Sequence, residues 1–148
     1  MQYPVKKKKS ERKTEYKTVF ILIYENKIAL RKRGAQGILS GMWELPNIEG
    51  IQTASQIRQE LAEKNIALSE LREVSGGKTP LKHIFTHMEW HMTCWVAVCS
   101  TVGTDDELTW VTEEQLTHEF ALPTAFKKCL KCCGRVWEGT GGQQQHDK

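Results

Sequence analysis

The first apolar run of the chain, Thr18-Val19-Phe20-Ile21-Leu22-Ile23-Tyr24, is short and rich in β-branched residues, which predicts a buried strand. Glu25-Asn26 is a turn signal. Lys27 to Arg33 then predicts a second strand with Ile28 and Leu30 turned inward. Gly34 to Gly41 holds three glycines in eight residues and predicts a loop, followed by Trp43-Glu44-Leu45-Pro46. Thr53-Ala54-Ser55-Gln56 has the form of a capping box. It opens a helix with Ile57 and Leu61 one turn apart and Asn65 at its end.

Gly76-Gly77 marks a second loop. Leu81 to Thr86 predicts a strand, and Trp90 to Cys99 predicts another. In the latter Trp90, Met92, Cys94, Val96 and Val98 share one face, with His91, Thr93, Trp95 and Ala97 on the opposite one. Leu108-Thr109-Trp110-Val111 is a further strand. Thr112-Glu113-Glu114-Gln115 is a second capping box before a short helix. Pro123 and Thr124 begin a last helix, where Phe126, Cys129, Leu130 and Cys133 recur at helical spacing and Gly134 suits the cap. Strands, helix, strands, helix in that order predict an α+β domain, a mixed sheet packed with two to three helices.

The length of 148 residues fits one domain. No stretch approaches the ~20 apolar residues of a membrane span, and no secretory signal opens the chain. The five cysteines are odd in number and unevenly spaced, so they read as reduced intracellular thiols.

The net charge of +3 is unevenly distributed. Met1 to Lys17 carries seven basic residues, among them Lys6 to Lys9, against Glu11 and Glu15. The rest carries 14 basic and 16 acidic residues. Residues 1–17 therefore read as a basic linker or arm, 18–133 as the folded domain and 134–148 as a disordered tail. The arm is either a solvated tether or a phosphate-contacting segment, and the two are compatible. Its opening residues suggest a fragment that begins in an interdomain linker.

His83, His87 and His91 recur every four residues, but on a strand that spacing spans about 13 Å. Zinc–nitrogen bonds are about 2.0–2.1 Å, so no metal site is expected. Cys129-Leu130-Lys131-Cys132 is a CxxC without a second pair to complete a zinc site, and packing accounts for it. No serine-nucleophile or P-loop motif occurs.

The two opening strands, the glycine loop, Trp43-Glu44-Leu45-Pro46 and the helix after it resemble the Nudix fold. In that family several glutamates on one helix hold magnesium against a pyrophosphate. Here Glu60 and Glu63 align with box positions, but Gln59 replaces the arginine and Lys64 the second glutamate of the pair. Leu45 and Ile66 stand at the glycine positions and Ile51 at the upstream glutamate. A lysine puts positive charge where a hard cation needs oxygen ligands, so the expectation is a Nudix-like fold without hydrolysis.

Arg31-Lys32-Arg33, Gly37 to Pro46, Lys82-His83-Ile84-Phe85-Thr86-His87, Trp90-His91-Met92 and Ala121 to Phe126 resemble, in order, the C-terminal domain of MutY-type adenine DNA glycosylases. The resemblance runs from about Tyr3 to Leu130. It implies a noncatalytic module that reads 8-oxoguanine opposite adenine in duplex DNA, beside an N-terminal catalytic domain that excises the adenine. The iron–sulfur cluster of the family belongs to that other domain, and no cofactor is expected in this chain. The setting implied is the bacterial cytoplasm, at the nucleoid, with no membrane partner.

8-Oxoguanine carries a hydrogen on N7, so its reader must accept there, and a hydroxyl or a backbone carbonyl can. By motif position Thr86 makes that contact, Phe85 places the loop, and His87 faces the base edge or a phosphate. Arg31, Arg33 and Lys82 are candidates for phosphate contact. The plain alternative is a strand end with Phe85 in the core and His87 exposed. Two other functions stay open: a divergent pyrophosphohydrolase of oxidised nucleotides, and a protein-docking domain.

Overall fold

A computed structural model describes residues 12–74 and 81–133. The elements are strands β1 (Lys13–Tyr24), β2 (Lys27–Lys32), β3 (Trp43–Glu44) and β4 (Asn47–Glu49), then helix α1 (Ala54–Glu63). Strands β5 (Leu68–Glu73), β6 (Leu81–Ile84), β7 (Met88–Cys99) and β8 (Thr109–Thr112) follow, and helices α2 (Glu113–Glu119) and α3 (Thr124–Cys133) complete the chain.

All eight strands join one mixed sheet of order β3-β2-β1-β7-β5, with β4 on β1, β6 on β7 and β8 on β2. The spine is the parallel pair β1·β7, in register from Lys13↔Met88 to Ile23↔Val98. The other pairs are antiparallel.

The period of two along β1 divides its side chains between two cores. Val19, Ile21 and Ile23 meet Trp90, Met92 and Cys94 under α3, which supplies Phe126 and Cys129. Phe20 and Leu22 meet Ala97 and Cys99 under α1, which supplies Ile57 and Leu61. Because both faces are covered there, the strand shows no polar alternation.

Both expected capping boxes form. Thr53 Oγ1 accepts from the Gln56 amide while Gln56 Oε1 accepts from the Thr53 amide. Thr112 and Gln115 do the same for α2. Asn65 follows α1 at φ 62°, which suits a helix terminus.

One expectation is corrected, and one strand forms where none was expected. β1 starts at Lys13, so Lys13 to Lys17, assigned to the arm, are strand residues. Their backbone pairs with Met88 to Met92 and, at Lys17, with Glu49. Charged side chains hid a strand whose ladder bonds are made by the backbone. The unexpected strand is β5, Leu68-Ser69-Glu70-Leu71-Arg72-Glu73. Its leucines stand three apart among helix-favouring residues, yet it pairs with the edge of β7 through a bulge near Ser69. The Gly76-Gly77 loop, residues 1–11 of the arm, the Gly134 cap and the tail at 134–148 lie outside the described residues.

Candidate nucleic-acid interface

β6 and β7 form a hairpin whose tip carries the Phe85-Thr86-His87 element. The Phe85 amide donates to the Met88 carbonyl at 2.7 Å and closes the turn. Phe85 is half-buried, while Thr86 and His87 are exposed. The Phe85 ring packs edge-on against Trp90 at 4.9 Å and against His83 at 4.8 Å. Trp90, fully buried, continues the stack to Phe126 on α3 at 5.7 Å. The phenylalanine therefore anchors the tip to the core and leaves the hydroxyl and the imidazole outward. The Lys13 amide donates to the His87 carbonyl at 3.2 Å, tying the same tip to the start of β1.

Lys82 projects from β6 with its ammonium 3.6 Å from Glu89 Oε2. Glu89 is also 3.4 Å from Arg12 and 2.6 Å from His91 Nε2. The hydrogen bond with His91, followed by the charge of Lys82 and a hydrogen bond from Arg12, holds the Glu89 carboxyl below its usual range against the opposing effect of desolvation. Lys82 remains more than half exposed, so its head can still reach a phosphate.

Arg31 and Arg33 occupy a different setting. Both converge on Glu44, a buried carboxylate: Arg31 Nε donates at 2.9 Å and Arg33 Nη1 at 2.6 Å. Arg31 also donates to the Asn47 carbonyl and Arg33 Nε to the Ile38 carbonyl. Asn47 Nδ2 donates to Glu44 Oε1 at 3.0 Å. The glycine loop is closed over this cluster by bonds from the Gly41 amide to Gly34 and from the Arg33 amide to Met42. Leu39, at φ 59°, packs partly on the core with Ile38. The two arginines are thus engaged in holding the loop to the sheet.

The six expected residues therefore fall into two groups. Phe85, Thr86, His87 and Lys82 share one hairpin, and Arg31 and Arg33 line the wall of a cleft of about 710 Å³ with Lys17, Asn47 and Glu49. Arg33 approaches the hairpin at Trp90, its guanidinium carbon 5.2 Å from that ring. Glu44 and Glu89 organise the two groups, a role that the sequence does not assign to either. Their signal is an acid placed among several cations, which becomes visible only once the strands pair. Trp43 meets Phe120 edge-on at 4.9 Å.

The hairpin also separates the histidines. His83 pairs with Trp90 and so shares the face under α3, while His91 pairs with Lys82 on the opposite face. Burial, reinforced by Lys128, lowers the His83 pKa. No group of three or more His, Cys, Asp or Glu side chains suited to a metal ion occurs among the described residues.

The helix that corresponds to the metal-binding box does not suit magnesium either. Glu63 is exposed, and Lys64 Nζ lies 2.9 Å from Asp105 and 4.0 Å from Glu60. An ammonium sits among the carboxylates, where a hard cation would need those oxygens for itself.

Among the described thiols on α3 and β7, Cys94, Cys99 and Cys129 are buried and Cys132 is half-buried. Cys129 lies 4.0 Å from Met92 Sδ, and Cys132 donates to the Val74 carbonyl at 2.9 Å. A hydrogen bond with Cys129, then burial, raises the Cys94 pKa, and burial pushes Cys99 up to about 12. Thiolate chemistry needs the opposite shift. No helix among the described residues is long and apolar enough to cross a membrane.

The sequence model of the NUDIX domain matches residues 18–132. Among solved structures, the C-terminal domain of mouse MUTYH, determined in complex with human PCNA, is similar at a TM-score of 0.63, with 17% identity over 82% of this chain and 88% of that one. The MutT NUDIX hydrolase from Burkholderia pseudomallei gives 0.59, with 18% identity over 81% and 98%. The E. coli ORF135 protein gives 0.58, with 21% identity over 86% and 93%. Such identities establish a shared fold, common to the MUTYH domain and to a hydrolase.

Proposed function

The chain belongs to the NUDIX domain family, and on that premise we propose that it is a noncatalytic recognition module for 8-oxoguanine opposite adenine in duplex DNA. The observation that carries this reading is the β6–β7 tip, where Thr86 and His87 are exposed on a turn anchored by Phe85. A rigid tip with a hydroxyl that both accepts and donates matches what the N7 hydrogen of the lesion requires. Lys82 stands on the same hairpin for a phosphate. The likeness to the MUTYH domain supports the reading, as does the Lys64–Asp105 pair at the box. Adenine excision is then the work of a separate catalytic domain, which carries any iron–sulfur cluster.

The test is an amide and indole NMR titration with a duplex containing 8-oxoguanine opposite adenine and with the same duplex containing guanine. Lesion-dependent shifts are expected at Phe85 to His87. Thr86→Ala should reduce discrimination by about 1–3 kcal/mol, the range of one good base contact. Equal shifts with both duplexes, or unchanged discrimination in Thr86→Ala, would sink the proposal.

The hydrolase neighbours favour a second reading, a pyrophosphohydrolase of oxidised nucleotides. Release of pyrophosphate that disappears in Glu63→Gln would establish it instead.

A further inference from the structure

The half of the sheet face beyond α1 carries a pair of aromatic rings on its two central strands. Registers β6·β7 and β7·β1 set Lys82, His91 and Tyr16 in one row and Ile84, Glu89 and Thr14 in the next. Tyr16 and His91 are in ring contact, centroids 5.1 Å apart and planes at 57°. α1 covers Phe20, Leu22 and Ala97 at the other end of this face. Tyr16 and Ile84, in contrast, are 44% and 50% exposed.

Charge surrounds the rings. Arg12 and Lys82 flank them, both held toward Glu89, so two permanent cations meet one carboxylate. The chain reaches Arg12 from a stretch that contains Lys6 to Lys9. Aromatic rings on a flat sheet, rimmed by surplus positive charge, suit a ligand that combines a polyanionic backbone with flat apolar faces. Bases in a duplex have their faces hidden against one another. Only unpaired nucleotides offer them.

We propose that this face is a stacking platform for an unpaired stretch of nucleic acid, with Tyr16 and His91 under the bases and Arg12 and Lys82 beside the phosphates. It goes beyond lesion reading, since Tyr16 and His91 have no part in the proposed lesion contacts. The hairpin tip with Thr86 and His87 adjoins the platform, so a strand distorted at the tip has somewhere for its displaced nucleotides to rest.

The experiment is fluorescence anisotropy of a labelled short oligothymidine and of an abasic oligonucleotide of equal length, titrated with the full chain, Tyr16→Ala and Tyr16→Phe. The oligothymidine should bind about tenfold more tightly than the abasic strand, as base–aromatic stacking gives. Tyr16→Ala should lose that advantage and Tyr16→Phe should keep it. Equal binding of the two strands by the parent, or a Tyr16→Ala that binds like the parent, overturns the platform.

If Tyr16→Ala does not fold, the parent answers directly. Intermolecular NOEs between the Tyr16 ring and thymine methyls support the proposal, and their absence at saturation overturns it. The lesion titration and Thr86→Ala report separately on the tip, so each idea can fail alone.

Discussion

Lys64 donates to Asp105 across 2.9 Å, joining the end of α1 to the segment before β8. Lys64 Nζ also lies 4.0 Å from Glu60, one turn back on the helix. The Lys64 ammonium fastens the end of the helix to that segment. The Lys64 carbonyl accepts from the Thr104 amide, and Asn65 Nδ2 donates to the Thr104 hydroxyl, so the fastening is threefold.

Lys64→Met should lower stability at neutral pH by up to about 1 kcal/mol, since the pair is partly exposed. Its hydrogen bond with Lys64 holds the Asp105 carboxyl below its ordinary value of 3.8. A depressed acid stabilises the fold above its unfolded pKa and loses that contribution as pH falls through the folded one. The gap between parent and variant, from urea unfolding at several pH values, should therefore be constant above pH 3.8 and close below it. A gap that persists in strong acid would show that the lysine acts through packing.

Gly103 sets a steric limit at the same junction. Its φ is +73°, and an added Cβ would meet the Lys64 carbonyl oxygen and lie 2.7 Å from Ile66 Cγ1. Gly103→Ala should destabilise by about 2 kcal/mol or more, combining left-handed backbone strain with a clash against main chain. Thermal unfolding measures it, and a neutral result would mean that the loop can move away from α1.

Glu44→Gln tests the arginine cluster. Glu44 is buried and answers two guanidiniums. Removing its charge should cost about 3 kcal/mol, because the arginines then lack a counter-charge in a part-buried setting. Amide exchange should rise most between Gly34 and Gly41, the loop held over the cluster. A uniform rise across the sheet would instead assign Glu44 a global role.

Much of the fold was legible in the sequence because the relevant signals are local. The two Thr-x-x-Gln boxes, the apolar run of β1 and the alternation along β7 each carry their meaning within a dozen residues. Where pairing depends on a distant strand, the signal is absent. Lys13 to Lys17 reads as a polar arm until Met88 to Met92 lies beside it, and Leu68 to Glu73 shows no alternation to mark β5 until β7 presents its edge. The candidate site divides in the same way. The tip residues follow from order along the chain, whereas the engagement of Arg31 and Arg33 by Glu44 follows from β2 and β3 lying side by side.

The parallel spine also constrains how the molecule can assemble. Lys13 and Met88 are 75 positions apart, and every β1·β7 pair must close a loop of that size before its bonds offset the lost chain entropy. High contact order of this kind slows folding. During synthesis, the first strand must wait for more than half of the chain before its parallel neighbour exists. The tip that carries Thr86 and His87 is bonded to Lys13 through this late junction. The surface proposed to meet damaged DNA therefore becomes complete only when the two distant parts of the chain have met, and a chain halted before Met88 contains the residues of α1 but not the strand that must pair with β1.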